Sequence, residues 1–169
     1  MTVLIRRLML AAVATALTAT AASAQAKKEQ GDKILIGPHA QFATNDIDFG
    51  IGAHLSYPIV NRIDIVPTFD YYFPGNDVKA WSLDGTVRYW PKLNMKNPGL
   101  YAGAGINYSH VSVDLPAPLG SASDGSVGLS LTGGWMFKSI PNLLPHAQIR
   151  VVIGDADRVE FGGGINFKL

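Results

Sequence analysis

The sequence contains no cysteine, so disulfide bonds cannot contribute to the stability of the fold. It also lacks runs of basic residues beyond its first few positions. Lys and Arg number 14 against 13 Asp and Glu, and this balance argues against nucleic acid as a partner. Nor is there a convincing helical period after residue 24, where glycine and proline are spread throughout. These absences leave strands as the main elements and require stability from a full core or from a membrane.

Residues 1–24 have the pattern of a cleavable signal peptide. Arg6 and Arg7 precede an apolar run of residues 8–17, and the small residues ASA end at position 24. The apolar run is too short to cross a bilayer comfortably as a helix. We therefore expect an exported chain with one mature domain, residues 25–169. Loss of the two arginines leaves 12 basic against 13 acidic groups, a formal charge of −1.

Alternation of apolar and polar residues along the mature chain predicts eight strands. In the last of them Val159, Phe161 and Ile165 fall on one face, opposite Glu160 and Asn166. Short stretches rich in Pro, Gly, Asn and Asp separate the strands and predict turns. The predicted strands are Lys33–Ala43, Ile47–Tyr57, Ile63–Phe73, Ala80–Trp90, Leu100–Val113, Ser126–Lys138, His146–Gly154 and Arg158–Leu169.

An eight-stranded antiparallel series fits two opposite arrangements. In a soluble barrel the apolar face points inward, whereas in an outer-membrane barrel it contacts lipid and the interior is polar. The segments reach about eleven residues, close to the length of a tilted membrane strand. Their polar face combines Gly, Ser, Thr and Asn with charges of both signs, which suits a narrow interior filled by side chains. The sequence therefore predicts an all-β fold, an up-and-down transmembrane β-barrel.

Two sets of residues follow from the membrane arrangement. The first is a charge network inside the barrel, with an ion path as the alternative use of the same groups: Asp48, Asp70, Asp84, Arg88, Arg150, Arg158 and Glu160. The second is a pair of aromatic girdles at the membrane interfaces: Tyr57, Tyr71, Phe73, Trp81, Tyr89, Trp135, Phe137 and Phe167, with Tyr72, Trp90 and Tyr101 in the same end clusters.

Histidines do not form a recognisable metal motif in the sequence. His39, His54 and His146 have inward parity, but they lie in three different strands without metal-ligand spacing. The glycine-rich GGGINF stretch opens no helix and so does not predict a phosphate-binding loop. We therefore expect neither a metal nor a cofactor.

Several stretches together resemble the small eight-stranded outer-membrane β-barrel family, which includes OmpA-like, OmpX-like and opacity-type surface proteins. They are the AASA cleavage region, the eight alternating strands, LYAGAGINYS and the closing EFGGGINFKL. The resemblance is one of pattern and covers the mature chain. It implies a Gram-negative outer membrane, periplasmic termini, contact with lipid and lipopolysaccharide, and a monomer inserted with periplasmic chaperones and the barrel-insertion machinery. Members usually end in an aromatic residue, whereas this sequence ends Phe167-Lys168-Leu169.

The resemblance also raises one enzymatic alternative. Some eight-stranded barrels are lipid A-modifying hydrolases with a His-x-Ser pair near the membrane interface, and SHVSVD contains His110 and Ser112. Asp114 has matching parity, but residues two apart along a strand are poorly placed for direct contact, and a serine nucleophile needs a base within hydrogen-bond reach.

The sequence thus predicts a non-catalytic outer-membrane protein with a structural or surface role. Connections after odd-numbered strands are expected outside the cell, and only the one at Asp114–Gly125 has any length. Three alternatives stay open: a very small pore, the hydrolase using His110 and Ser112, and a soluble periplasmic ligand-binding barrel with inverted polarity.

Overall fold

The computed structural model describes residues 34–44, 49–75, 78–92, 99–115, 120–137, 142–155 and 157–169. The predicted signal peptide, Asp48 and the predicted strand ends at Lys33, Ile47 and Lys138 lie outside these residues. No helix in the described ranges is long and apolar enough to cross a membrane. The strands are β1 (Leu35–Ala43), β2 (Phe49–Val60), β3 (Ile63–Tyr72), β4 (Val78–Tyr89), β5 (Leu100–Asp114), β6 (Ser121–Met136), β7 (Leu143–Gly154) and β8 (Arg158–Lys168).

The eight strands form a closed antiparallel barrel in chain order. β8 pairs with β1 from Leu35–Lys168 to Ala43–Glu160, so every strand has two neighbours and the sheet has no open edge along this seam. The predicted all-β barrel is therefore confirmed. Most strand bounds fall within three residues of the prediction.

The largest departure is at the start of β6. Pairing of β5 with β6 continues to Asp114–Ser121, so the long outer loop predicted at Asp114–Gly125 is wrong over residues 121–125. The stretch SASDGS has no apolar alternation and reads as a loop, yet β5 supplies the backbone partners that make it a strand. Pairing of β6 with β7 begins only at Gly128–Gly154. The β5–β6 hairpin therefore projects beyond β7.

Side chains alternate between the two faces as the membrane arrangement requires. Ile106 on the outer face is 66% exposed, whereas its neighbour Asn107 points inward and is 1% exposed. The same contrast recurs around the barrel, because Phe42 is 62% exposed beside Gln41 at 1%. The soluble alternative requires the apolar face inside, and this fold has it outside.

Candidate functional site: a polar network across the lumen

Arg150 lies at the centre of the barrel interior and joins three walls. Its Nη2 donates to Oδ2 of Asp70 at 2.5 Å and to Oε1 of Gln41 at 3.1 Å. Its Nε donates to Glu160. Because β7 and β3 lie four strands apart in an eight-stranded barrel, the Arg150–Asp70 contact crosses the lumen.

A second group of contacts extends the network from Glu160 toward the end of the barrel where β8 begins. Tyr72 donates its hydroxyl to Oε1 of Glu160 at 2.5 Å, and Arg158 donates Nε to the same oxygen at 2.6 Å. Arg158 also donates Nη1 to Ser109 at 2.8 Å and Nη2 to Oδ1 of Asn107 at 3.1 Å. These contacts tie β8 to β3 and β5.

The opposite end of the lumen is closed around Asp64. Arg88 donates Nη2 to Oδ2 of Asp64 at 2.6 Å, Trp90 donates its indole N–H to Oδ1 at 3.1 Å, and Ser56 also donates to this carboxylate. The Arg88 guanidinium carbon lies 4.8 Å from the centre of the Tyr101 ring. This is within the range of a cation–π contact.

Three histidines that are far apart in the sequence meet on one side of the interior. His39 Nε2 lies 2.6 Å from Oδ1 of Asp70, and His39 Nδ1 lies 3.3 Å from Nδ1 of His54. His54 Nε2 lies 2.5 Å from Oδ1 of Asn166, whose Nδ2 lies 3.0 Å from His146 Nδ1. Sequence spacing could not reveal this cluster, because β7 comes near β1 and β2 only when β8 pairs with β1 and closes the barrel.

Glycines beside His39 make room for its ring. The pairing partners of His39 are Gly52 on β2 and Gly164 on β8. A Cβ at Gly52 would lie 2.8 Å from His39 Nε2, and one at Gly164 would lie 2.7 Å from His39 Cβ. At each position a Cβ would also come closer still to a backbone carbonyl, that of Phe69 at Gly52 and that of Pro38 at Gly164, so alanine would require the backbone to shift as well as the histidine.

The structure places six of the seven residues of the predicted charge network in the interior. Asp84 receives hydrogen bonds from Thr86 and, at 3.4 Å, from Asn107. Each of the six is at most 4% exposed: Asp70, Asp84, Arg88, Arg150, Arg158 and Glu160. Burying these charges would be costly without partners, and each one has an opposite charge or a hydrogen-bond donor beside it. The network fills the lumen.

The predicted girdle residues lie on the outer face, in two groups. Tyr71 pairs with Trp81 near one rim, and Tyr71 and Phe73 lie with ring centres 5.2 Å apart. The other group is near the opposite ends of the strands: Tyr57, Tyr89, Trp135, Phe137 and Phe167. The placement of Tyr72, Trp90 and Tyr101 in the girdles is wrong. Tyr72 and Tyr101 are buried in the interior, and Trp90 bonds to Asp64.

His110 and Ser112 do not form a catalytic arrangement in the described structure. His110 lies on the outer face with its ring centre 5.3 Å from that of Trp81, and so continues the aromatic belt. Asp114 instead accepts a hydrogen bond from Lys79 at 2.9 Å. No carboxylate of the described residues contacts His110, so the acid that would orient a catalytic base is missing there.

Comparisons with known proteins find this architecture among solved structures. No protein family matches the sequence, and no curated protein matches it either. Among solved structures, the N-terminal β-barrel domain of Pseudomonas aeruginosa OprF superposes with a TM-score of 0.62 at 12% identity, over 82% of this chain and 98% of that one. The fold is that of the small outer-membrane β-barrels.

Two further structures give the same result. Neisserial surface protein A superposes with a TM-score of 0.62 at 19% identity, covering 84% of this chain and 100% of that chain. Ail, the attachment invasion locus protein of Yersinia pestis, superposes with a TM-score of 0.54 at 17% identity, over 81% and 97%. The predicted resemblance is confirmed at the level of the fold.

Proposed function

We propose that the chain is a non-catalytic β-barrel of a Gram-negative outer membrane with a structural or surface role. The observation that carries this proposal is the polarity of the barrel. Large apolar side chains such as Phe42, Ile106 and Val127 are 60–66% exposed, while charged side chains are buried. In water such a surface would drive aggregation, whereas in lipid it is the stable arrangement.

The filled lumen supports a structural role over transport. The contacts of Arg150 with Asp70 and of Arg158 with Ser109 span the interior between strands that do not pair, and the contact of Arg150 with Glu160 joins the neighbouring strands β7 and β8. A very small pore would require these charge-assisted contacts to separate, at a cost of several kcal/mol. An eight-stranded barrel has an interior just wide enough for side chains to fill.

A surface role is supported by the projecting β5–β6 hairpin. Residues 121–125 of β6 are exposed and extend beyond the end of β7, and they include the polar side chains of Ser121, Ser123 and Asp124. In the orientation implied by the resemblance this hairpin faces the cell exterior, where it contacts lipopolysaccharide. The barrel is a monomer in lipid, inserted with the help of periplasmic chaperones and the insertion machinery.

Cell fractionation combined with heat-modifiable gel migration tests this proposal. The expressed chain is expected in the outer-membrane fraction, and its unheated form should migrate faster in detergent gels than its boiled form. A chain that stays soluble without detergent would contradict the proposal.

A further inference from the structure

The projecting part of β6 has one edge that no described strand covers. Ser121–Gly125 pairs with β5 without a shift in register, whereas pairing of β6 with β7 begins only at Gly128. All five residues of this stretch are exposed. An uncovered edge pairs readily with another chain unless lysine, proline or a bulge blocks it. Ser121–Gly125 contains neither lysine nor proline, so nothing in its sequence blocks a further strand.

Two backbone hydrogen bonds at the other end of β6 show which groups lie on this edge. The amide of Met136 donates to the carbonyl of Gly99 on the β5 side at 2.8 Å. The amide of the next residue, Phe137, donates to the carbonyl of Pro145 on the β7 side at 2.7 Å. Because successive residues of a strand direct their backbone groups to opposite sides, the even-numbered residues of β6 bond to β5. Its odd-numbered residues therefore direct their N–H and C=O groups toward the side of β7.

Ser121, Ser123 and Gly125 are the odd-numbered residues of the projecting edge. The N–H of Gly125 is already bonded to Oδ1 of Asp124 at 2.9 Å. The N–H groups of Ser121 and Ser123 point away from β5, to the side where no described strand pairs with them. The carbonyl groups of the three residues point the same way. An extended peptide satisfies such groups by adding as a strand, and its main-chain hydrogen bonds supply the affinity.

The charge at this end of the barrel indicates which peptide fits the edge. The exposed charged side chains described there are four carboxylates and one ammonium group: Asp114, Asp124, Asp155, Asp157 and Lys79. Lys79 is bonded to Asp114, and Asp124 belongs to the open edge itself. The surroundings of the edge are therefore negative, so they attract a positively charged segment and repel a negatively charged one.

We propose that Ser121–Gly125 binds an extended segment of another protein, rich in lysine or arginine, which adds to β6 as a further strand. The inference rests on the proposed surface role, because that role places the hairpin outside the cell. The backbone of Ser121 and Ser123 supplies the main-chain hydrogen bonds, and Asp124 attracts the positive charge.

A second copy of this chain in the same membrane does not fit the edge. Two such copies are related by rotation about the membrane normal, and membrane strands tilt by about 35–45° from the barrel axis. Their two β6 strands would then cross at roughly twice that tilt, about 70–90°, whereas neighbouring strands of a sheet differ by only about 20–25°. A flexible extended segment has no such constraint.

Fluorescence anisotropy of a labelled ten-residue peptide of alternating threonine and lysine tests this proposal. Titration with the full chain in a zwitterionic detergent should show saturable binding of one peptide per chain. Ser123→Pro removes an edge N–H that does not bond to β5, and should weaken binding by at least about tenfold. Ser123→Ala keeps this N–H and should bind as the wild type does. A peptide with glutamate in place of lysine should bind more weakly, and heat-modifiable migration identifies the variants that remain folded.

Amide hydrogen exchange of the unmodified chain, followed by NMR, keeps the test independent of how the variants fold. The amides of Ser121 and Ser123 should exchange rapidly alone and slowly with the lysine peptide, whereas the amide of Ala122, which faces β5, should be protected in both. Slow exchange of Ser121 and Ser123 without peptide would overturn the proposal, because the edge would already be covered by this chain or a second copy. Absence of saturable binding, equal binding by Ser123→Pro, or equal binding of the glutamate peptide would also overturn it. None of these results bears on membrane location, which fractionation tests separately.

Discussion

Nη2 of Arg150 lies 2.5 Å from Oδ2 of Asp70, and the contact joins strands on opposite walls of the barrel. Both side chains are nearly inaccessible, with 3% and 0% exposure. An ion pair in this position closes the lumen and links β7 to β3 without any backbone pairing between them.

Removal of Arg150 should therefore destabilise the barrel strongly. Arg150→Ala leaves Asp70 and Glu160 without their shared guanidinium, and we expect a loss of about 3–5 kcal/mol in the free energy of unfolding. Denaturant titration in lipid vesicles measures it. The exposed Lys79–Asp114 pair provides the control, since Asp114→Ala should cost only about 0–1 kcal/mol. Equal costs would show that the lumen pair is not a structural tie.

A charge placed on the outer face should be costly in proportion to its depth in the membrane. Ile106 lies in the middle of β5 and Leu115 just beyond its end. We expect Ile106→Arg to cost about 2–4 kcal/mol in vesicles and Leu115→Arg about 0–1 kcal/mol. Unfolding in vesicles measures both. Equal effects at the two positions would argue against a lipid boundary along β5.

The glycines beside His39 should not tolerate a side chain. In Gly164→Ala the new Cβ would meet the carbonyl of Pro38 and lie 2.7 Å from His39 Cβ, so β1 must shift. We expect a loss of about 1–3 kcal/mol in the free energy of unfolding. At Gly133 a Cβ has nothing within 4 Å, and Gly133→Ala should change stability by less than about 0.5 kcal/mol.

Substitution of Ser112 should leave lipid A unchanged. His110 packs on Trp81 and Asp114 bonds to Lys79, so no base–acid pair among the described residues is placed to activate Ser112. Mass spectrometry of lipid A from cells expressing the wild type or Ser112→Ala should give identical acylation patterns. Lipid A that lacks acyl chains only in cells expressing the wild type would instead support the hydrolase hypothesis.

The strands could be predicted from the sequence because each has two unlike faces, and alternation records that contrast directly. Ser121–Gly125 escaped prediction because a strand outside the apolar belt needs no apolar face. The contacts between side chains inside the lumen could also not be predicted from the sequence. Parity places His39, His54 and Asp70 on the inner face, but only the register of β1, β2 and β3, in which His39 and Asp70 both pair with Gly52, brings them into contact.

The alternation of residues along a strand predicted which face of the barrel a side chain lies on better than its closeness to a strand end did. Tyr101 and Trp90 lie near strand ends, where girdle aromatics are common, yet they turn inward because Arg88 and Asp64 provide a cation–π contact and a hydrogen-bond acceptor. Tyr72 likewise points inward to Glu160. An aromatic residue near a rim belongs to the girdle only when it lies on the apolar face.

Cysteine labelling on β6 tests the central claim most directly, because the chain has no native cysteine. Three single variants in intact lipid vesicles sample lipid, lumen and water: Leu131→Cys on the outer face, Ser130→Cys in the interior and Ser123→Cys on the projecting hairpin. We expect Leu131→Cys to react with a lipid-soluble maleimide but not with a charged thiol reagent. Ser130→Cys should react with neither reagent, and Ser123→Cys should react with the charged reagent. Reaction of Leu131→Cys with the charged reagent at the rate of Ser123→Cys would contradict a lipid-facing apolar surface.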